Sequence, residues 1–332
     1  MNDFSQRILD WYAENARDLP WRRTQDPYAV WLSEIILQQT RIAQGTAYWQ
    51  RFMERFPTVQ DLAEASEDEV LRLWEGLGYY SRARNLHAAA RQIVARGAFP
   101  DTLEGIRSLK GVGDYTAAAI GSICFGIPAA VVDGNVYRVL ARHFGISTPV
   151  GTTEAKKEFT LLADKLLPEK EASAFNQGMM DFGALQCTPQ HPDCLSCPLQ
   201  TSCDAFRTGR THLLPLKKTA AKPREQRLSY VYVRLDGETA IRRRGPGDIW
   251  HGLYEPLVPD PERLREASPV LLKAGVKHQL THRTILADFY LWEPSSRPEL
   301  PEGYKWIKEA ELDNYAKPRL FELLLETIQA FP

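Results

Sequence analysis

The chain has 332 residues, enough for two domains that each bury a hydrophobic core. Its 41 lysines and arginines against 42 aspartates and glutamates give a formal charge of -1, which excludes a uniformly basic protein, so any surface for a polyanion must be local. No apolar run approaches the roughly 20 residues of a membrane span, and the first residues lack a signal-peptide pattern, so we expect a cytoplasmic protein that does not bind membranes.

Residues 1–205 are predicted to be helical, because apolar residues recur at three- and four-residue spacing between glycine and proline breaks. In "VWLSEIILQQT", helical spacing places Val30 and Leu37 one turn from Glu34. Burial among apolar side chains raises the pKa of a carboxyl group, so Glu34 is a candidate general acid. The alternative is a partly buried glutamate that is bonded to a neighbour.

A first glycine turn lies in "LWEGLGYYSRARNLHAA", with Leu77 and Tyr79 at its tip and Arg82 just behind. Apolar and aromatic wedges beside an arginine suit the unstacking of DNA bases. An ordinary packed helix turn has the same pattern, so the motif by itself leaves both possibilities open.

A second glycine turn, "LKGVGDYTAA", separates two predicted helices. Gly111 and Gly113 permit unusual backbone angles and a close approach, and free N–H groups there would suit a phosphate oxygen, although a plain helix–helix turn is the alternative. Shortly after it, Asp133 in "VVDGNVYRVLARHFG" precedes a helix. Asp133 is predicted to cap that helix, and beside an anion-binding turn its carboxylate could also stabilise a cation.

Four of the five cysteines fall in residues 187–203 with the spacing C-x6-C-x2-C-x5-C, namely Cys187, Cys194, Cys197 and Cys203. Four thiolates in one short loop suit a tetrahedral zinc ion or an iron–sulfur cube, and the spacing leaves both open. The fifth, Cys124, lies in an apolar helical context and is predicted to be core.

Residues 206–227 are predicted to form a basic, extended linker, because they show no apolar period. They contain seven basic residues, Arg207, Arg210, Lys217, Lys218, Lys222, Arg224 and Arg227. Beyond them, "LSYVYVRLDGETAIRRR" predicts two strands around an Asp-Gly turn, "ILADFYLWE" another strand, and "KPRLFELLLETIQAF" a closing amphipathic helix. Residues 228–332 are therefore predicted to be a mixed α+β domain.

Together these motifs closely resemble the adenine DNA glycosylases of the MutY family, within the helix-hairpin-helix superfamily that also holds endonuclease III. The resemblance runs through "LPWR", "GLGYYSRARNLH", "FNQGMMDFGALQC" and the cysteine loop, and it covers nearly all of residues 1–205. It implies an all-α domain of two helical lobes, one of which carries a single four-iron, four-sulfur cluster on the four cysteines. It also implies a monomer acting on double-stranded DNA, on the nucleoid if the cell is bacterial.

The resemblance also implies the chemistry, which is excision of adenine opposite 8-oxoguanine, or more weakly opposite guanine, during base excision repair. Glu34 would protonate the leaving base, Asp133 would stabilise the oxocarbenium-like sugar, and Tyr115 and Asn135 would position the sugar and the nucleophile. The resemblance also implies residues that bind the base and residues that contact the DNA. Base-pocket residues would be Trp21, Arg22, Leu37 and Gln177, and DNA contacts would come from Gln39, Leu77, Tyr79, Arg82, Gly111 and Gly113.

Tyr115 occupies the position where strand-cutting lyases of this superfamily carry a lysine that forms an imine with the sugar. A phenol cannot form that imine, so we predict a monofunctional glycosylase without strong lyase activity. Two other hypotheses stay open, an endonuclease III-like enzyme for oxidised pyrimidines and a non-catalytic DNA-binding module.

The second domain resembles the MutT-like (Nudix) module with which such glycosylases sense 8-oxoguanine. It has only scattered Glu262 and Glu266 where a MutT-type hydrolase has a dense acidic box for magnesium, so we predict no nucleotide hydrolysis. The sensing loop of the family usually reads Phe-Ser-His, whereas this chain has Leu280, Thr281 and His282. These three are the candidate lesion-recognition residues.

Overall fold

The computed structural model of the protein describes residues 2–219 and 222–331, and the chain divides into two compact units. The first unit is Met1–Ala63 with Ala88–Thr219, and the second is Glu64–His87 with Ala220–Pro332. Residues 1, 220, 221 and 332 lie outside the description. Of these, residues 220 and 221 belong to the predicted linker, and residues 1 and 332 are the ends of the two predicted domains.

Helices make up most of the described chain before residue 208, as the apolar spacing predicted. In chain order the α-helices are α1 (Asp3–Asn15), α2 (Pro27–Leu37), α3 (Ile42–Arg55), α4 (Val59–Glu64), α5 (Glu67–Leu73), α6 (Ser81–Arg96), α7 (Leu103–Arg107), α8 (Asp114–Phe125), α9 (Gly134–Phe144), α10 (Thr153–Leu166), α11 (Ala172–Leu185), α12 (Asp204–Arg207), α13 (Pro261–Ala267) and α14 (Arg319–Gln329). Short 3₁₀ turns cover Pro20–Arg22, Glu169–Glu171, Gln200–Ser202 and Glu309–Asn314. Among the residues described, no helix is both long and apolar enough to span a membrane.

The core of the first unit is built where α1 packs with α9, α10 and α11. Ile8, Leu140, Phe159 and Phe182 are buried together there, one from each helix. Three cysteines of the 187–203 loop pack against the same cluster. The N-terminal helix therefore lies beside the cysteine loop.

Helix α2 begins where its sequence provides a cap, since the Asp26 carboxylate accepts a hydrogen bond of 3.0 Å from the Tyr28 N–H and Pro27 occupies the first helical position. Trp31, Leu32 and Ile36 are fully buried. A helix that is apolar on most of its faces lies inside the unit, so Glu34 of α2 lies among buried side chains.

The second glycine turn joins α7 to α8. Gly111 has φ 78°, in the left-handed region that favours glycine. A residue with a Cβ atom would be strained in this conformation. Gly113 is extended, with φ -97° and ψ -179°, and serves as the N-cap of α8. Only the first glycine therefore uses the unusual backbone freedom that both were expected to supply.

The second unit contains two three-stranded sheets, as the mixed α+β prediction required. One has the order β1-β5-β4 and the other β3-β2-β6. The strands are β1 (Arg224–Val233), β2 (Glu238–Arg243), β3 (Tyr254–Glu255), β4 (Val270–Gln279), β5 (Arg283–Trp292) and β6 (Tyr304–Lys308). β1 pairs with β5 in parallel, whereas β2 pairs with β6. The two strands that flank the Asp236–Gly237 turn therefore belong to different sheets.

The predicted linker is shorter and better anchored than expected. β1 begins at Arg224, whose N–H donates to the His282 carbonyl oxygen at 3.0 Å, so the last residues of the predicted linker are strand. On the other side, Leu214 is buried in the core of the first unit, and the Lys218 N–H donates to the Val150 carbonyl oxygen at 3.1 Å. A buried leucine and backbone hydrogen bonds thus hold a segment whose composition suggested an extended linker.

The segment Glu64–His87 packs within the second unit, although it was predicted as part of the helical domain. The Arg84 guanidinium donates to the His251 carbonyl oxygen at 2.5 Å, and the Tyr80 hydroxyl donates to the Lys317 carbonyl oxygen at 3.3 Å. Arg243 pairs with Glu67 at 2.9 Å. The glycine turn at residues 76–79 is therefore held by residues far along the chain.

Candidate active site

The acid of the candidate site is Glu34, on the inner face of α2. Burial raises the pKa of its carboxyl group to about 7, and the nearby charge of Asp133 raises it further, whereas the Tyr115 hydroxyl and the Arg22 charge lower it. This is the direction that the apolar neighbours in the sequence predicted. At neutral pH the group can therefore hold a proton and release it to a base.

Asp133 is the N-cap of α9. Its Oδ1 accepts hydrogen bonds of 2.8 Å from the N–H groups of Asn135 and Val136, and its Oδ2 accepts one of 2.7 Å from the Asn135 amide. Burial raises the pKa of Asp133, and these hydrogen bonds act against that rise because they favour the carboxylate. The helix cap and the oriented carboxylate are therefore the same group.

Asn135 supports Asp133 rather than facing the cavity. Its side-chain oxygen accepts a hydrogen bond of 2.8 Å from Arg138, which fixes the direction of the amide that it donates to Asp133. Gly183 of α11 lies directly against it, where an added Cβ atom would come within 2.6 Å of the Asn135 Cβ. The first turn of α9 is thus held from two sides.

Tyr115 lies in the first turn of α8 and brings a phenol close to both carboxyl groups. Burial raises its pKa well above the usual value, and the charges of Glu34 and Asp133 raise it further, so the phenol stays neutral. Its hydroxyl lies 3.6 Å from the Met180 sulfur. Its closeness to both carboxyl groups fits a positioning role.

These groups line one cavity of about 460 Å³, within the range of about 300 to 1,000 Å³ typical of small-molecule sites. Glu34, Tyr115 and Asp133 all face it. The other predicted residues that line it are Trp21, Arg22, Leu37, Gln39 and Gln177. Residues spread over 150 positions of sequence thus converge on a single space large enough for a base.

Sequence reasoning missed Asp181, which lies behind the cavity wall and binds two arginines that line it, Arg17 and Arg22. Asp181 of α11 is fully buried, and it accepts hydrogen bonds from Arg22 at 2.6 and 2.8 Å and from the Arg17 Nε at 2.8 Å. Although burial raises it, hydrogen bonds from Arg22 and Arg17 hold the pKa of Asp181 below its usual value. An aspartate inside the apolar run "FNQGMMDFGAL" was the available signal, because a buried carboxylate needs a cation.

The glycine turn leaves donors open. In the part of the chain that the structure describes, the backbone N–H groups of Gly111 and Gly113 have no hydrogen-bond partner. Asp114 next to them is paired with Lys156 at 2.8 Å and Arg107 at 3.4 Å. Unpaired amides at the start of a helix are suited to an anionic oxygen.

The remaining predicted DNA and lesion contacts lie in the second unit. Leu77 is only 8% exposed and packs inward, whereas Tyr79 is 47% exposed and has φ 46°. The Tyr79 hydroxyl lies 2.5 Å from the Thr281 Oγ1, which joins the first glycine turn to the loop of Leu280, Thr281 and His282. Arg82 stacks over Tyr79, with its Cζ 5.6 Å from the ring centroid, and burial lowers its pKa to about 10.

The four cysteines of the 187–203 loop are all partly buried. Burial is the main cause that raises the pKa of Cys194, and the neighbouring Cys187 and Cys203 raise it further. The Arg142 guanidinium lies 3.4 Å from the Cys187 sulfur and donates to the Thr188 carbonyl oxygen at 2.7 Å. Within residues 2–219 and 222–331, no group of three or more His, Cys, Asp or Glu side chains is arranged to hold a metal ion.

Comparisons with known proteins agree with this architecture. Residues 32–165 match the HhH-GPD superfamily of base excision DNA repair proteins, and residues 229–327 match the NUDIX domain. The fold is also similar to that of a thermostable thymine-DNA glycosylase, with TM-score 0.58 and 32% identity over 62% of this chain and 95% of that chain.

Two relatives have similar sequences over different shares of their length. The chain is 45% identical over 213 residues to the adenine DNA glycosylase of Homo sapiens, which covers 61% of this chain and 39% of the human protein. It is 36% identical over 255 residues to the adenine DNA glycosylase of Buchnera aphidicola subsp. Acyrthosiphon pisum, which covers 76% of this chain and 73% of that relative. Identity at this level over most of a relative shows that the chain belongs to the adenine DNA glycosylase family.

Proposed function

We propose that this DNA glycosylase of base excision repair hydrolyses the N-glycosidic bond of adenine paired with 8-oxoguanine, and more slowly of adenine paired with guanine. The observation that carries the proposal is the convergence of Glu34, Tyr115 and Asp133 on one cavity. Only a nucleotide rotated out of the duplex can reach such a cavity, so catalysis begins with base flipping.

Glu34 is the general acid in this mechanism. With a pKa of about 7, a substantial fraction of Glu34 is protonated near neutral pH and can donate its proton to a ring nitrogen of the flipped adenine. Protonation of that nitrogen turns adenine into a neutral leaving group, and the electrons of the glycosidic bond leave with it. The sugar then carries the positive charge.

Asp133 stabilises that cation. Three hydrogen bonds favour its charged form and fix its direction before the reaction starts, which is the preorganisation that makes electrostatic stabilisation effective. Water then attacks the sugar cation and gives up a proton, which the Glu34 carboxylate left by the first step can accept, and the hydrolysis is complete. The products are free adenine and an intact abasic site.

Tyr115 explains why we expect no strand cleavage after the base has left. Its neutral phenol can hold the sugar or the water in place, but it has no amine with which to form an imine. The strand therefore stays uncut by this route. Trp21, Arg22, Leu37 and Gln177 form the base pocket, and Gln39 lies at its edge.

The second unit reads the opposite base in this proposal. Tyr79 is the exposed wedge, with Arg82 stacked on it, and Leu77 supports the turn from within. The Thr281 hydroxyl, with Leu280 and His282 on either side, is the group that would distinguish 8-oxoguanine from guanine. The bond between Tyr79 and Thr281 supports a shared task for the two segments.

The DNA backbone has two proposed contacts in the first unit. The open N–H groups of Gly111 and Gly113 would bind a phosphate of the strand that carries the adenine. Lys217 and Lys218 of the predicted linker would follow the backbone electrostatically. We expect a monomer that acts on cytoplasmic DNA, on the nucleoid in a bacterial cell.

We further propose that Cys187, Cys194, Cys197 and Cys203 hold one four-iron, four-sulfur cluster. In a cube each thiolate binds a different iron, so the four sulfurs need not converge on one point as they must for zinc. The four partly buried thiols and the adjacent Arg142 fit such a cluster, whose net charge is negative. When bound, the cluster would fix the loop against the core of α1, α9, α10 and α11.

The experiment that tests the function is single-turnover release of adenine from duplexes with adenine opposite 8-oxoguanine, guanine or thymine. Fast release from the first, slower from the second and little from the third is expected. Asp133→Asn should abolish release while leaving duplex binding nearly intact. No release from any duplex, or full activity of Asp133→Asn, would contradict the proposal.

A further inference from the structure

Arg22 of the base pocket belongs to a buried cluster with Arg17 and Asp181, and these two residues have no part in the chemistry described so far. The Asp181 carboxylate is fully buried, and it accepts hydrogen bonds from both guanidinium groups and from the Arg17 backbone N–H at 3.1 Å. A carboxylate in such a place is stable only while these partners remain.

Both arginines also line the cavity that contains Glu34. Their side chains are 13% and 24% exposed, for Arg22 and Arg17 respectively. The Cζ of Arg22 lies 5.8 Å from the centroid of the Tyr12 ring, and its Nη1 also donates to the Arg17 carbonyl oxygen at 3.3 Å. The guanidinium of Arg22 is thus held from several sides.

The charge of the cluster matters because a general acid must keep its proton. A cation near a carboxyl group favours the ionised form, so two uncompensated arginines at the cavity would work against Glu34 as an acid. Of the two arginines, Arg22 is the charge that acts directly on Glu34, and Arg17 lines the same cavity. The other titratable groups that act on Glu34 are Tyr115 of α8 and Asp133 before α9, and Cys124 of α8 lies within electrostatic reach. None of these carries a positive charge.

We propose that Asp181 is a positioning residue of the active site: its carboxylate fixes Arg17 and Arg22 against the cavity and cancels one of their two positive charges beside Glu34. This inference rests on the proposed function, because it assigns Asp181 a task only if Glu34 is the acid. It goes further in that it identifies a residue that controls the proton of Glu34 without touching the substrate.

The test is the pH profile of single-turnover adenine release from a duplex with adenine opposite 8-oxoguanine. Asp181→Asn leaves two arginines without the anion, so the alkaline limb of its profile should move to lower pH, by on the order of half a pH unit. Arg17→Gln leaves one arginine with the anion, so its limb should move to higher pH. Loss of packing alone would lower the rate in both variants without moving the limb in opposite directions.

A matched control is Asp18→Asn, the same chemical change in an exposed ion pair with Arg23, where both side chains are more than 60% exposed. Its profile should coincide with that of the parent. If Asp181→Asn does not fold, Arg17→Gln still supplies a shift of defined sign. Asp181→Glu, which keeps the charge, should retain the limb of the parent even where its rate falls.

The outcomes separate the two hypotheses. A parent without any alkaline limb near pH 7 would overturn Glu34 as the acid, and the inference would fall with it. A parent with the limb, but with variants whose limbs stay in place, would overturn the role of Asp181 alone. Limbs that move in opposite directions for Asp181→Asn and Arg17→Gln support it.

Discussion

Replacement of Glu34 by glutamine should inactivate the enzyme and, at alkaline pH, stabilise it. The substitution keeps the shape of the side chain but removes the proton that the acid donates. It also removes a carboxyl group that the folded protein holds in an unfavourable place, since burial raises its pKa to about 7. Activity and stability are therefore predicted to change in opposite directions.

The size and sign follow from the difference in proton binding between the folded and the unfolded chain. Below about pH 4 the group is protonated in both states, so parent and variant should be equally stable. Between pH 4.5 and about 7 the unfolded chain releases the proton first, so the parent loses stability as the pH rises. Well above pH 7 the carboxyl group is ionised in both states, and its burial lowers the free energy of unfolding of the parent by about 3 kcal/mol for a pKa shift of this size.

The assay is urea unfolding of both proteins at pH 4.5 and pH 8, followed by far-UV circular dichroism. The free energy of unfolding of Glu34→Gln should exceed that of the parent by about 3 kcal/mol at pH 8 and by little at pH 4.5. Single-turnover adenine release by the parent should fall as the pH rises through about 7 and should be absent in the variant. Glu158→Gln, the same change on an exposed position of α10, is the control.

Equal stability of the parent and Glu34→Gln at both pH values would refute this account. It would mean that the cavity solvates the ionised carboxylate well, so that Glu34 would not keep its proton near neutral pH. A variant that still released adenine at the rate of the parent would remove Glu34 from the mechanism in any case.

Four further predictions concern the other parts of the molecule. Because Tyr115 offers no amine, borohydride should trap far less covalent protein–DNA adduct than with a true lyase of the superfamily, and comparable trapping would contradict the monofunctional assignment. Cys197→Ser should lower the iron and sulfide content of the purified protein, whereas unchanged content would exclude a cluster on this loop. Thr281→Val should reduce the preference for 8-oxoguanine over guanine roughly fivefold, as expected of one hydrogen bond worth about 1 kcal/mol, and an unaltered ratio would remove Thr281 from lesion recognition. Replacing Lys217 and Lys218 by glutamine should lower the slope of log binding constant against log salt by about 2, and an unchanged slope would place both outside the interface.

Local sequence signals predicted the elements that depend on neighbours in the chain. The apolar period identified α2 and the surroundings of Glu34, and the residues before α9 identified Asp133 as its cap. Both features follow from interactions within one or two helical turns. The mixed composition of the second domain was equally visible, because strands and their turns have local preferences.

Long-range partners were not predictable in the same way. Asp181 meets Arg17 across 164 positions, and β1 pairs with β5 rather than with β2, although an Asp-Gly turn connects β1 to β2 directly. Leu214 anchors the supposed linker because the core of the first unit has room for it. These contacts depend on which surfaces meet in the folded protein. The spacing of apolar residues along the chain carries no information about that.

The discontinuous make-up of the second unit has a consequence for how the protein is made. A ribosome produces Glu64–His87 before residues 88–219, and only afterwards His251 and Lys317, whose carbonyl oxygens accept hydrogen bonds from Arg84 and Tyr80. At about 5 to 20 residues per second, this delay is on the order of ten seconds. During that time the early segment waits without its later partners, so a chaperone or a protease meets it in a state that the finished enzyme never shows.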